Sequence, residues 1–497
     1  MRRKNGAKRF PRTDAGNAEM FAALWGESVR FDHKADRWLI WDKARNRWTE
    51  DRQSKVRVLA KKTARSRARA ALNIANGDEK KREVSWALHS EGRFAIDAAL
   101  ELAKSEPPLS DDGARWDSDP WLFGVANGIV DLRTGKLRAA TQQNRITKSS
   151  PVVFDQNAVC PRFDTFLEEV FDNDAELIRY VRMAVGYTLT GLTREQCFFA
   201  CCGSGQNGKS TLFEVILYIM GDYGTDLPFT VLEKKKQLPV GEGMNLPGAR
   251  FAKSVETRED LQLDEARIKS WTGGDTITIN PKYRPPLTFT ATHKLWLAFN
   301  HKPGVSDSTD AMWRRVRLIP FNHTFDLTQV DKGLLDKLKA EASGILNWAI
   351  QGCLAWQRDG LKTPKAVERA TSDYEEESDP LSPFLAECCE IDPAYDVKKA
   401  ELRSEYDRWC FSYKEKPLGK KVFAERILGR RFGEGSTGRF RYWTGLRLRP
   451  PDATDTINPN LQEPPYREAS IEKSYQECSI TSAASKQMPS LAEFAMD

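Results

Sequence analysis

The spacing of apolar and polar residues changes character several times along these 497 residues, and each change predicts an element boundary. Trp38-Leu-Ile-Trp41 and Trp48 lie either side of the polar stretch Lys43-Ala-Arg-Asn-Arg47, a pairing around a turn that predicts a small β-hairpin within 20–50. Residues 52–104 follow a helical pattern, basic on one side, with Trp86, Leu88, Phe94, Ile96 and Leu100 as buried positions. Pro107-Pro108 and Ser110-Asp-Asp-Gly113 break that pattern. Phe123 to Leu132 and Thr134 to Leu137 then read as short strands joined by Asn-Gly and Thr-Gly turns. Pro161 opens a helical block from Phe163 to Leu192. From 196 to about 325 strands and helices alternate, the signature of an α/β core. Residues 331–378 return to helix, with Trp348, Ile350, Leu354 and Trp356 apolar. The acidic run Asp373 to Asp379, followed by Pro380 and Pro383, marks a linker. Residues 384–449 read as a compact helical domain ending in a β-wing, and beyond Pro450-Pro451 the chain becomes rich in Ser, Pro, Glu, Gln and Thr, the composition of a disordered tail.

Composition narrows the classes. No run of 18 apolar residues exists, so no membrane span is expected. The start, Met1 to Arg12, is basic without an apolar segment behind it, so it reads as a disordered tail and not as a secretory signal. Nine cysteines form no C-x₂-C pair, which predicts reduced core residues of a cytoplasmic protein. Five scattered histidines give no metal cluster beyond Mg²⁺ carried with a nucleotide. The net charge of +6 says little alone. Its clustering in 52–70 and 414–449 says more, because two basic blocks flanking one core point to a polyanion partner.

The chemistry concentrates after residue 196. Gly203-Ser-Gly-Gln-Asn-Gly208-Lys209-Ser210-Thr211 fits G-x-x-x-x-G-K-[ST], with the apolar run 196–202 before it and the apolar helical pattern Leu212 to Met220 after it. In that context Gly203, Gly205, Asn207 and Gly208 bring backbone N–H groups to phosphates at the positive end of a helix, with Thr211 in its first turn. Lys209 pairs with β/γ-phosphate oxygens and Ser210 ligates Mg²⁺, so the expected cofactors are ATP and Mg²⁺. Glu256 closes the apolar-rich segment Arg250 to Val255 and is the expected acid that holds the metal and polarises water. Asn300 ends the buried run Leu295 to Phe299 and is placed to orient the lytic water. Arg314 and Arg315 precede another apolar strand and suit planar contact with a γ-phosphate, from the same or a neighbouring subunit. Between these, Thr276 to Ile279 alternates before Lys282, Tyr283 and Arg284, a hairpin whose basic-aromatic tip suits a nucleic-acid strand.

These segments resemble the superfamily 3 helicases, in the phage and plasmid primase–helicase branch that includes the satellite-phage P4 and poxvirus D5 type. The resemblance rests on 203–211, 254–257, 268–275, 297–303 and 313–321 in that order, with 127–137 resembling the branch's lead-in domain and 384–449 its C-terminal winged-helix domain. It implies a multidomain α/β protein. The expected parts are a basic tail at 1–18, an α+β lead-in domain at 19–150, a helical collar at 151–195, an AAA+-like P-loop NTPase core at 196–330, a helical extension and linker at 331–380, a winged-helix-like domain at 381–449 and a disordered tail at 450–497. It further implies a ring, usually a hexamer, moving 3′→5′ on single-stranded or forked DNA. In that ring Glu256 is the acid, Asn300 the γ-phosphate sensor, Arg314 or Arg315 the trans-acting finger and Lys282 a DNA-contacting residue. The expected setting is replication of a phage or mobile element in a bacterial host. Many members carry a primase ahead of the helicase; no zinc-ribbon cysteines precede the loop here, so a separate primase or polymerase is expected as a partner. The residues also leave open an ATP-dependent origin-binding initiator with weak unwinding, and a regulatory NTPase.

Overall fold

The computed structural model describes residues 10–450 apart from 235–242, 257, 259–260, 281, 284–285, 306–309, 327–330 and 431. The described residues up to Arg447 form one compact unit. The expected 450–497 tail lies, apart from residue 450, outside the described residues.

Helix α1 (Asp14–Trp25) begins inside the segment expected as a basic tail, because the Thr13 hydroxyl caps it by accepting from the Gly16 amide at 3.0 Å. Strands β1 (Val29–Asp32), β2 (Arg37–Asp42) and β3 (Arg47–Glu50) follow in antiparallel order, so the expected hairpin is the β2–β3 pair, with Trp41 opposite Trp48. Three helices succeed them, α2 (Lys55–Ala71), α3 (Gly77–His89) and α4 (Arg93–Ala103), and the two-residue β4 (Ser110–Asp111) returns parallel to β1. The buried positions expected here need correction. Ile96 and Leu100 are buried, but Leu88 is 66% and Phe94 86% exposed. Ala87, Ala95, Ala99 and Ala103 face inward instead, and these small side chains let the helices approach closely. The strands read around the Asn-Gly and Thr-Gly turns form the antiparallel meander β5 (Leu122–Val125), β6 (Gly128–Asp131) and β7 (Lys136–Arg138).

The central element order is α5 (Pro161–Val170), α6 (Ala175–Leu189), β8 (Phe198–Cys202), α7 (Lys209–Met220), β9 (Gly224–Asp226), β10 (Phe251–Glu256), α8 (Glu265–Thr272), β11 (Thr276–Ile279), β12 (Leu287–Thr290), β13 (Lys294–Phe299), α9 (Asp310–Trp313), β14 (Val316–Pro320), α10 (Leu334–Ala340), α11 (Ala342–Asp359) and α12 (Lys365–Ser378). Five of these strands make a parallel sheet ordered β14-β8-β13-β10-β9. Both faces are covered, which is why β8 and β13 read as continuous apolar runs. Phe199, Cys201 and Trp296 enter a core shared with α6, α7 and α11, while Phe198, Ala200, Leu295 and Leu297 enter the opposite core with Ile268 and Trp271 of α8. Collar and extension pack on each other: α6 crosses α11 where Gly186 meets the backbone of Cys353 and Gly352 meets that of Arg182, and a Cβ at either glycine would collide.

Two buried cations lock the sheet to the segments before it. The Arg250 guanidinium donates to the carbonyls of Leu189 (2.6 Å) and Leu122 (2.8 Å), and the Lys294 ammonium donates to those of Thr190, Leu192 (3.2 Å) and Thr292 (3.1 Å). Both therefore satisfy carbonyls at the end of α6, where the helix dipole favours positive charge. At the other end of the chain, α13 (Ser382–Cys388), β15 (Cys389–Lys398), α14 (Lys399–Ser412), α15 (Lys420–Gly429), β16 (Gly433–Thr437) and β17 (Phe440–Leu448) build a three-stranded sheet, ordered β15-β17-β16, with helices. Asp379 in the linker pairs with Arg426 (3.0 Å) and Arg430 (2.8 Å) of the α15 region and so fastens it to the linker. Among the described residues no helix is long and apolar enough to cross a membrane.

His293, just before β13, is buried with neither ring nitrogen hydrogen-bonded among the described residues, and its ring meets Trp271 edge-on. Burial first, and then the adjacent Lys294, push its pKa from 6.5 down to about 3. Below pH 6.5 the unfolded chain takes up a proton that the folded chain refuses. This contribution to stability is therefore whole above pH 6.5 and shrinks as pH falls toward 3. Urea titrations of wild type and His293→Phe should diverge by about 2 kcal/mol between pH 6.5 and 5, the wild type losing more. Parallel pH profiles would contradict the buried neutral histidine.

Candidate active site

Parallel register decides which residues meet at the carboxyl edge of the sheet. Pro320 pairs with Cys202, Cys202 with Phe299, and Phe299 with Glu256, so four strands end in one row. Just past that row stand Gly203, Asn300 and Phe321. The Gly203 amide donates to the Phe299 carbonyl (3.3 Å), and the Phe321 amide donates to that of Cys202 (2.8 Å). The chain from Gly203 to Gly208 turns tightly between β8 and α7, with φ +109° at Gly205, +47° at Gln206 and +82° at Gly208. Gly208 has no alternative residue: a Cβ there would sit 2.5 Å from Cγ2 of Val170 in α5, in a backbone region that L side chains rarely adopt. The buried Asn207 side chain braces the loop by donating to the Phe321 carbonyl at 3.4 Å.

Lys209 opens α7 and is buried. Its ammonium donates to the carbonyl of Gly203 at 2.6 Å and to Oδ1 of Asn300 at 3.4 Å, and it forms no ion pair with a carboxylate among the described residues. Burial lowers its pKa. A partly desolvated cation supported only by neutral oxygens lacks a counter-charge, and an anion is the ligand that completes it. Ser210 is exposed and Thr211 half-exposed in the same first turn. The Leu212 amide is bonded to the Gly208 carbonyl, so the amides of 209–211 precede the helical ladder and face the loop side.

The other sequence candidates fall at different distances from this centre. Glu256 ends β10 one strand beyond Asn300, and its carboxylate is held by Arg258, whose backbone amide (2.9 Å) and guanidinium (Nη2 at 2.8 Å) donate to it. Arg258 was not among the sequence candidates; its only signal is a position two residues past the acid. Arg314 and Arg315 stand at the amino end of β14, whereas the loop lies at the carboxyl ends. Five residues at about 3.3 Å each put roughly 15 Å of strand between them. The pair is unlike in setting. Arg314 is exposed, while Arg315 is buried, donates to the Ala311 carbonyl and has its pKa lowered by burial and by Arg314. The expected hairpin is present as β11 paired antiparallel with β12. At its tip Tyr283 is 91% exposed with φ +62°, and the Lys282 ammonium stands 4.9 Å from the centre of its ring. Arg284 lies outside the described residues. Among those residues no cluster of His, Cys, Asp and Glu could hold a metal by itself, so any cation here would depend on its ligand's own oxygens.

Residues 18–172 match the family described as "D5 N terminal like", and residues 201–315 match a family described as one of unknown function (DUF5906). The first match supports the D5-type resemblance over the lead-in segment. A protein of Acanthamoeba polyphaga mimivirus that carries a provisional helicase name is 25% identical over 295 residues, covering 54% of this chain and 31% of the relative. A second provisional helicase, from Frog virus 3, is 23% identical over 423 residues, covering 65% of this chain and 42% of its own length. The chain thus spans less than half of either relative. Both come from viruses of eukaryotic hosts, which gives the expected bacterial host no support. The solved C-terminal region of NrS-1 superposes over 87% of this chain and 99% of its own with a TM-score of 0.46 and 12% identity, a likeness too loose to argue from.

Because Gly208 is fixed by both its backbone angle and Val170, Gly208→Ala should lower stability by about 2 kcal/mol in urea titration. An unchanged unfolding midpoint would show that the loop is not held against α5.

Proposed function

We propose that this chain is an ATP-dependent, ring-forming DNA helicase of the superfamily 3 type, working 3′→5′ on single-stranded DNA in the replication of a virus or mobile element. The observation that carries the reading is the Lys209 ammonium, buried at the positive end of α7 with neutral acceptors and, among the described residues, no carboxylate. A nucleoside triphosphate supplies the missing charge: its β/γ-phosphates would lie along the Gly203–Gly208 loop, against the amides of the first turn. Mg²⁺ bound with it would neutralise developing charge on the phosphates; Ser210 is exposed to reach it, and Glu256 would hold its waters once Arg258 lets go. Asn300, already bonded to Lys209, would orient the attacking water. The helicase names of the viral relatives support the choice of this NTPase class over a regulatory one.

The separation of Arg314 from the loop of its own chain argues for action in trans. A guanidinium roughly 15 Å away along β14 cannot touch phosphates held by the same subunit, yet it is exposed to a neighbour. A composite site of this kind couples hydrolysis to ring assembly, and a hexamer is the assembly we propose. The tip of Lys282 and Tyr283, with Arg284, would contact the strand being moved, the helix-and-wing fold at 382–448 would act as a winged-helix-like DNA contact, and priming would fall to a separate primase or polymerase.

The reading is tested by ATP hydrolysis with and without single-stranded DNA, alongside displacement on forks with a 3′ or a 5′ tail. Stimulated hydrolysis with displacement from the 3′ tail is expected; hydrolysis indifferent to DNA would overturn it. Lys209→Ala should abolish turnover. Arg314→Ala should bind nucleotide normally but hydrolyse at least a hundredfold more slowly in the ring, and mixing it with Lys209→Ala subunits should restore part of the rate at sites that combine an intact loop with an intact finger. Arg315→Ala should act mainly by loosening the fold. Unimpaired turnover in Arg314→Ala would remove the trans finger.

A further inference from the structure

The lead-in segment carries a surface that the helicase reading leaves unused. Two neighbouring concavities, of about 360 and 510 Å³, lie along the β2–β3 hairpin and share Arg45, Thr49, Glu50 and Arg52 in their walls. Arg37, Arg47 and Lys148 line the first; Lys43 and Lys55 line the second. Carboxylates are present too, but each has structural work. Asp51 accepts the Lys55 and Val56 amides at the start of α2 (2.8 Å each), and Asp222 is held by Arg47 and the Ser149 amide (3.1 Å). Asp42 accepts the Ala44 and Arg45 amides (2.9 and 3.1 Å) and lies 3.8 Å from the Arg45 guanidinium, and Glu50 meets the far end of Arg52 (3.5 Å), both of them long, exposed pairs that an incoming phosphate can displace. What faces outward is dominated by guanidinium groups, with Arg45 67% and Arg52 83% exposed.

Lys55 joins this hollow to α2. Seven-residue steps return to nearly the same side of a helix, so Lys55, Lys62 and Arg69 form one exposed row, opposite the buried Val56, Ala60, Thr63, Ala64 and Ala71. None of the three forms an ion pair among the described residues. The row is about 21 Å long, enough to follow several successive phosphates of a strand. Beside it the α3–α4 corner is pinned by Arg57–Asp97 and Arg65–Glu91. Phe94 lies between Glu91 and Asp97 in sequence and is 86% exposed. Trp41 stands half-exposed in the wall of the second concavity.

We propose that the β2–β3 hairpin and α2 form a second nucleic-acid site, a track for the phosphate backbone of a single strand, with Trp41 and Phe94 as stacking platforms. Continuous positive charge follows the backbone, and exposed rings meet bases of any sequence. The track lies outside the ATP-binding core and needs neither hydrolysis nor the core hairpin. Its failure and that of the helicase reading therefore separate cleanly.

The test is fluorescence anisotropy of a labelled 30-nucleotide thymidine strand with the full chain, without nucleotide, across a salt series. Arg45→Glu with Arg52→Glu, and separately Lys62→Glu with Arg69→Glu, should each weaken binding at least tenfold and flatten the salt dependence by about 1.4 in log–log slope. Phe94→Ala should weaken binding several-fold with the slope unchanged. DNA-independent ATP hydrolysis should stay at the wild-type rate in all three, showing that they fold. Unchanged affinity and slope in both charge-reversed pairs, with binding lost only in Lys282→Ala, would overturn the proposal. So would equal competition by a blunt duplex, which would assign the surface to double-stranded DNA.

Discussion

Parallel pairing obliges strands to finish on the same edge of their sheet, and the candidate site consists of what stands just beyond that edge. Cys202, Phe299, Glu256 and Pro320 share a row, so the next residues of three strands, Gly203, Asn300 and Phe321, become neighbours although they are far apart in sequence. Lys209 reaches back from α7 to two of them. The loop can pass through this crowd only because Gly203 and Gly208 lack side chains. The sheet is in turn held to the preceding segments by Arg250 and Lys294, whose charges end α6. A shift of one residue in β13 would move Asn300 away from Lys209 and turn every buried side chain of the strand to the wrong face.

The same geometry sets two groups far apart along one strand. The carboxyl end of β14 supports the loop through Phe321, while its amino end presents Arg314 on the far side of the sheet. A short strand thus holds the glycine-rich loop and an exposed cation roughly 15 Å apart. Arg315, next in sequence, is turned inward, so the two guanidinium groups have different tasks.

The sequence made the centre legible because its constraints are local. A glycine-rich turn between an apolar strand and an apolar helix has few other readings, and the buried parallel strands announce themselves as unbroken apolar runs. The β11–β12 hairpin and the Asn-Gly meander were visible for the same reason. What depended on distant partners was not. Leu88 and Phe94 fit a helical stripe, yet alanines take the inward positions once three helices pack together. The start of α1 at Asp14 depends on a hydroxyl cap within a basic stretch. The ten-residue β15 lay hidden in a segment read as helical, because its pairing partner β17 is some fifty residues away. The burial of Arg315 is a tertiary fact that no spacing rule carries.

Among the described residues the Lys209 ammonium meets no carboxylate, and in the proposed function a triphosphate supplies its anion. Calorimetric binding of Mg·ATP to wild type and Asn300→Asp tests this most directly, because the substitution places a carboxylate where an amide oxygen now sits 3.4 Å from the ammonium. Saturable binding by the wild type and at least a tenfold loss in Asn300→Asp are expected, with Asn300→Ala losing much less. Equal affinity in all three proteins, or no binding by the wild type, would contradict it.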